Sequence, residues 1–235
     1  MRHFLLKGKL MRILFKDKNA VVVYKPAGIP SQSDPSGDED IMKITSDELE
    51  AIGENKALWL VHRLDRTVGG LMVLARNKNA AASLSAIVGS KQFEKEYLAV
   101  IDGEAEGGFL TDYIYKDSLK GKAFVAKSRR AGVKLAELEY SVIDSAETPH
   151  GTKTLVRIKL HTGRFHQIRV QFSSRGTPLT GDGKYGSRDN KAKMPALFAF
   201  GLAFVINGKR IEVKKLPDGD EYPWSLFNIK EIGDL

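Results

Sequence analysis

The 235-residue chain predicts a mixed α+β architecture rather than a doubly wound parallel sheet. Short apolar or alternating runs succeed one another through turn residues, and only a few scattered segments carry helical periodicity, a pattern that favours antiparallel, hairpin-joined strands. The clearest hairpin lies near the end, where Leu197–Ile206 and Arg210–Val213 flank Asn207-Gly208, a dipeptide suited to a tight two-residue turn. No internal repeat, long linker or low-complexity segment interrupts the sequence, so one domain is the simplest expectation.

In order along the chain, Val21–Tyr24 is an apolar run closed by Lys25, Pro26 and Gly28, hence a buried strand entering a turn. A lysine in such a Lys-Pro turn is expected to be exposed. The polar SQSDPSGDED after it is a loop, and Thr45 with Glu48 three residues later suggests a capping box opening a short helix through Ile52. Trp59–Val61 and Leu71–Leu74 are strands bracketing the charged cluster His62, Arg63, Asp65 and Arg66. Asn79–Val88 carries Leu84, Ile87 and Val88 at helical spacing with Gly89 as its stop, and Phe93–Ile101 returns to strand, closed by Asp102-Gly103. Residues 118–134 read as irregular and hold Lys120, Lys122, Lys127, Arg129, Arg130 and Lys134 with no acidic residue among them. A solvated loop and a loop facing a polyanion fit this stretch equally well. Ala136–Ile143 and Thr154–Leu160 are strands. Gly163 leads into a helix over Phe165–Ser174, with Phe165, Ile168 and Phe172 on one face and His166, Arg169 and Ser173 on the other.

Hydrophobic content of 42% and charged content of 28% are those of an ordinary globular chain able to bury a core. There is no cysteine, which excludes disulfides, thiolate nucleophiles and thiolate metal sites. The net charge of +8 makes a polyanionic partner plausible on electrostatic grounds. No apolar run approaches the roughly 20 residues that span a bilayer, and the amino terminus lacks the unbroken apolar segment of a signal peptide. A cytoplasmic protein without a membrane partner is expected. His62, His161 and His166 lack the spacing of a paired ligand set, so no metal is expected. GDGKYG lacks the pattern of a nucleotide-phosphate loop, so neither is a nucleotide cofactor.

Five stretches carry a specific likeness: VVYKPAG from Val22, LVHRLDRTVGGLMVLA from Leu60, KEYLAV from Lys95, LHTGRFHQIR from Leu160 and GDGKYG from Gly181. In sequence and order they resemble the motifs of the RluA-type pseudouridine synthases, which isomerise uridine in structured RNA. One departure is visible: Val68-Gly69-Gly70 stands where the family shows Thr-Ser-Gly. The resemblance implies a large, mainly antiparallel mixed sheet with flanking helices and a central cleft. It begins at about Ile13, leaving no room ahead for the separate small RNA-binding domain of some relatives. Residues 1–10 are then an ordered extension, or they reflect a start codon assigned upstream of Met11.

By the same resemblance Asp65 is the catalytic carboxylate, Arg164 its counter-charge and Tyr97 the aromatic residue against the target base. The reaction detaches uracil from ribose, turns it and rejoins it through a ring carbon. It needs an oriented carboxylate and a closed pocket but no redox cofactor, metal or energy source. A guanidinium can keep such a carboxylate ionised near RNA phosphates. Arg63 beside the nucleophile is a candidate to fill the gap left by a flipped nucleotide. His62, His166, Arg169, Lys127, Arg129 and Arg130 complete the expected RNA contacts. The expected partner is ribosomal or transfer RNA, bound by a monomer. Two rivals stand beside this reading. A non-catalytic RNA-binding or ribosome-assembly protein could retain the motifs, although intact Asp65, Tyr97 and Arg164 count against it. A glycoside hydrolase would require a second catalytic carboxyl that the motifs do not supply.

Overall fold

The computed structural model describes residues 5–6, 9–10 and 12–234. The expected extension over residues 1–10 lies largely outside them; Leu5–Leu6 (β1) and Lys9–Leu10 (β2) pair antiparallel. In chain order follow β3 (Ile13–Lys16), β4 (Ala20–Lys25), α1 (Ile41–Ala51), β5 (Trp59–Leu60), β6 (Gly69–Ala75), α2 (Lys78–Ile87), β7 (Phe93–Asp102), β8 (Gly108–Asp117), β9 (Lys122–Ala126), β10 (Lys134–Ala146), β11 (Lys153–Leu160), α3 (Gln167–Ser173), β12 (Leu197–Ile206) and β13 (Lys209–Lys214). The chain divides into two compact units, Met1–Phe93 with Leu202–Lys215, and Glu94–Gly201 with Leu216–Leu235.

In the first unit β4 lies between β3 and β6, antiparallel to both. The second half of β12 follows β6, with β13 paired to β12 and β5 to β6. All seven residues of β6 are buried, and strands covered on both faces read as continuous apolar runs rather than alternating ones. Val22, Leu71, Val73, Leu84 and Phe204 form the core against α2. The first helix opens earlier than its expected capping box. Asp40 accepts from Lys43 N–H at 2.9 Å and starts α1 at Ile41. Thr45 therefore lies inside the helix, buried, with its hydroxyl donating to Ile41 O at 2.7 Å. Glu48 instead accepts from Arg12 N–H at 3.1 Å. Asn207 and Gly208 both take positive φ, 50° and 73°, as the tight turn between β12 and β13 requires.

In the second unit the strand order is the first half of β12, then β7, β11, β10, β8 and β9. The pairs β7–β11, β11–β10, β10–β8 and β8–β9 are all antiparallel. Part of the basic stretch expected to be irregular is thus strand: Asp117 pairs with Lys122 and Tyr113 with Ala126, while residues 118–121 form the turn before β9 and 127–133 the loop after it. β9 reads KAFVA, in which Phe124 and Val125 favour a strand that pairing with β8 stabilises and that the charge content of the stretch obscures. The helix expected from Phe165 begins at Gln167, because His166 adopts the left-handed conformation with φ 52°. α3 packs on the sheet through Val170, beside Ile114, Ala123 and Ala136, and through Phe172, edge-on to Tyr140 at 5.0 Å.

Candidate active site

In the first unit β5 and β6 form a hairpin, Trp59 opposite Ala75 and Leu60 opposite Leu74, so the intervening loop carries His62, Arg63 and Asp65. Both neighbours of Asp65 are fixed through their backbones. Ser31, 6% exposed, clasps Leu64: its hydroxyl donates to Leu64 O at 2.7 Å and accepts from Leu64 N–H at 3.1 Å. On the other side Arg66 O accepts from Gly28 N–H at 2.8 Å, and Arg66 Nε returns a hydrogen bond to Gly28 O at 3.0 Å. The Arg66 guanidinium also pairs with Asp38 and, at 3.6 Å, with Asp34. Val68 N–H donates to Asp65 O at 3.0 Å and closes the turn. A carboxylate on a backbone held at both flanks has its ordering entropy already spent before substrate arrives. Val68 is 2% exposed and Gly69 opens β6, so the departure from Thr-Ser-Gly falls on core positions.

Lys25 overturns the expectation of an exposed turn lysine. Its side chain is fully buried, and Nζ donates to Pro26 O at 3.1 Å, Ile29 O at 2.7 Å and Arg66 O at 3.2 Å. Burial disfavours the ammonium and brings its pKa down to about 7. The negative charge of Asp65 opposes that shift and the positive charge of Arg66 adds to it. Lys25 is therefore both the strut of the Asp65 loop and electrostatically coupled to its carboxylate. His62 Nε2 accepts from Val73 N–H at 3.1 Å and its ring stands edge-on to Phe93 at 5.3 Å, so it ties the loop to β6. Arg63 is exposed.

Tyr97 and Arg164 belong to the second unit. Tyr97, 7% exposed, lies on β7 opposite Ile158 of β11, two residues before that strand ends at Leu160. The loop beyond is organised by Gln167, which is 3% exposed. Its Oε1 accepts from Arg164 N–H at 3.0 Å and from the Thr162 hydroxyl at 2.8 Å, while its Nε2 donates to Glu137 O at 3.1 Å. Thr162 in turn accepts from Glu137 N–H at 2.8 Å. Arg164 Nε donates to Leu135 O at 2.8 Å, so the guanidinium is directed by β10 as well as by its own loop. Gly163 lies against β7: a Cβ there would stand 3.4 Å from Lys95 Nζ. The Thr-Gly-Arg loop and the tyrosine strand are thus neighbours within this unit.

Two of the expected RNA contacts are drawn into the fold rather than standing on its surface. Arg169 does not face solvent; it is 5% exposed and grips Asp182 with Nε at 2.7 Å and a terminal nitrogen at 2.8 Å. Every residue from Gln167 to Phe172 is buried, so α3 shows no solvent face there, and Arg169 points at the Gly181–Gly186 loop and serves to anchor it. His166 is half-buried. Burial first, then the nearby charges of Arg169, Lys184 and Lys116, lower its pKa to about 3, so the imidazole is neutral. Its Nδ1 lies 2.9 Å from the Tyr185 hydroxyl, which already accepts from Ala123 N–H at 2.7 Å and so has its proton to give. By contrast Lys127, Arg129 and Arg130 are all exposed after β9. Arg130 stands 5.6 Å over the Tyr115 ring, beside Lys120 and Lys122 over Phe124 at 5.6 and 5.7 Å.

Ser31, Gln167 and Asp182 are absent from the motif-based expectations. Each acts on a residue that those motifs single out, and only Gln167 and Asp182 lie within motif stretches that could have drawn notice.

Comparison with known proteins bears on the same residues. Residues 19–174, which include the Asp65 loop, β7 and all of α3, match the family described as RNA pseudouridylate synthase. An uncharacterized RNA pseudouridine synthase of Aquifex aeolicus is 30% identical over 227 residues, 94% of this chain and 69% of that protein. The ribosomal large subunit pseudouridine synthase D of Zymomonas mobilis is 31% identical over 221 residues, 86% and 68% of the two chains. In fold, the chain resembles human RNA pseudouridylate synthase domain containing 1, with a TM-score of 0.74 at 24% identity over 89% of this chain and 84% of that one. With the aspartate loop, the tyrosine strand and the arginine turn all falling inside the matched segment, the chain belongs to the RNA pseudouridine synthase family, in its RluA-type branch.

Proposed function

We propose that this isomerase of RNA uridines acts on ribosomal or transfer RNA through the Asp65 carboxylate, with Arg164 as its counter-charge and Tyr97 against the extruded base. The observation that carries the assignment of Asp65 is the double clamp on its loop. Ser31 fixes the residue before it, and Gly28 with buried Lys25 fixes the residue after it. A loop whose only task was to display surface charge would not require a buried lysine and a buried serine beneath it. Lys127, Arg129 and Arg130 supply phosphate contacts on a sheet edge that also presents Tyr115 and Phe124, groups suited to RNA by charge and by stacking. Arg63, exposed two residues before Asp65, fits the role of filling the gap left by the flipped nucleotide.

The test is Asp65→Ala, assayed on total RNA from cells lacking the protein. Pseudouridine formation is abolished, while RNA affinity stays near that of the parent, since phosphate contacts rather than one carboxylate dominate binding. Modification persisting with the purified variant removes Asp65 from the chemistry.

A further inference from the structure

The second unit holds a cavity of about 400 Å³ whose lining includes Asp102, His150, Lys153, Arg188, Asp189 and Lys191. That is within the range of sites that take small ligands or single groups of larger ones. It lies beyond the end of β7. Asp102 is five residues past Tyr97 on that strand, about 17 Å at the usual rise per residue, so the cavity is separate from the tyrosine.

Its floor is a closed polar network. Lys153, 2% exposed, sits between the two carboxylates, 2.6 Å from Asp102 and 2.9 Å from Asp189. The Asp102 oxygens also accept from Thr180 at 2.7 Å and Ser187 at 2.6 Å. Asp189 accepts from the Tyr222 hydroxyl and, at 3.0 Å, from Lys191 N–H. Burial opposes the charge on Asp189, but Tyr222 and Lys153 outweigh it and hold its pKa at about 2. The Asp189 carboxylate is therefore ionised, and the oxygens of both carboxylates are engaged by donors, leaving little capacity for a cation. The groups that remain to meet an occupant are donors. Arg188 is exposed and makes no ion pair among the described residues; Lys191 is exposed with its ammonium set 4.3 Å over the Tyr222 ring; His150 adds an imidazole. The loop bearing them is fixed at its base, since Gly181 at φ +79° leaves no space for a Cβ, which would meet Met194 O at 2.6 Å.

We infer that this cavity is an auxiliary anion site in which Arg188 and Lys191 hold a backbone phosphate of the RNA substrate at a distance from the target uridine. The inference rests on the RNA reading above for the source of the phosphate, and the cavity supplies the chemistry. A site so placed adds affinity for a long structured RNA and nothing to the bond changes at the target nucleotide.

The test compares the wild type, the double variant Arg188→Ala/Lys191→Ala and a charge-matched control, Lys78→Ala/Lys91→Ala, both exposed in the first unit. Equilibrium binding is measured against salt for a long structured RNA and for a minimal target stem-loop, with inorganic phosphate titrated separately by NMR. The cavity variant should bind the long RNA about tenfold more weakly, the scale of one charge-assisted hydrogen bond. Its salt slope should fall by about 0.7 to 0.9, the stem-loop should bind unchanged, and saturating long RNA should restore the modification rate. A loss no greater than the control's, or an equal loss for both RNAs, overturns the inference. So does a phosphate-dependent shift at Arg188 and Lys191 that long RNA fails to displace, which would make this a site for free phosphate. Affinity and salt slope are read without turnover, so absence of pseudouridine in every arm would refute the catalytic reading and leave the cavity decided by binding.

Discussion

Lys25→Met keeps an unbranched apolar stem of similar length and deletes the ammonium, which makes it a direct probe of the strut beneath Asp65. The folded-state pKa of Lys25 is about 7, against an ordinary 10.5. A folded pKa below the unfolded one means that the unfolded chain binds the extra proton between these values. The contribution of Lys25 to stability therefore rises with pH across the window from about 7 to 10.5. Between pH 7 and pH 9 that gain is about 2 kcal/mol, from the difference in proton uptake integrated over two pH units. Methionine takes up no proton and loses this dependence. It also leaves the carbonyls of Pro26, Ile29 and Arg66 short of a donor, at about 1 kcal/mol or more each. Urea unfolding of both proteins at pH 7, 8 and 9 should show the variant less stable at pH 9 and the gap narrowing by about 2 kcal/mol at pH 7. Other titrating groups are common to both proteins and cancel in the difference. Parallel stability curves across this range would refute the claim that a near-neutral lysine holds the loop. At pH 9 the variant should also show a lower kcat at saturating RNA, because the backbone on one side of Asp65 is released.

Three further outcomes are expected, the first of which rests on the proposed pairing of Asp65 with Arg164. Arg164→Met should move the acid limb of the pH–rate profile upward, since a neighbouring guanidinium holds an aspartate down by about 1 to 3 pH units; Arg164→Lys should lose most of the rate with a smaller shift, and a folded Met variant with an unchanged profile would separate the two residues. Lys127→Ala, Arg129→Ala and Arg130→Ala together should weaken RNA binding, lower the salt slope by about 0.7 to 0.9 for each phosphate no longer neutralised, and leave the rate at saturating RNA intact; an unchanged slope makes the segment a solvated loop. Arg169→Met strands the buried Asp182 carboxylate and should destabilise the protein by about 3 to 5 kcal/mol in denaturant unfolding, whereas a role in touching RNA would show as an affinity loss at near-normal stability.

The sequence by itself determined those features that depend on near neighbours along the chain. The apolar run of β4, the hairpin at Asn207-Gly208 and the strand from Phe93 all stand where periodicity and turn residues put them. The five motif stretches identified the family because their residue types and order are specific without any coordinates. Tertiary structure decided what depends on distant segments meeting. Ser31 reaches Leu64 across 33 residues, Lys25 reaches Arg66 across 41, and the partner of Arg169 stands 13 residues away. Each is a polar group whose burial becomes tolerable only once folding supplies its partner. Local pattern placed Lys25 in an exposed Lys-Pro turn and Arg169 on the open face of a helix, yet both side chains are buried. The strand over residues 122–126 was hidden in a similar way. The lysines in and around it concealed a strand that pairs along β8, satisfying backbone groups that a loop would leave to solvent.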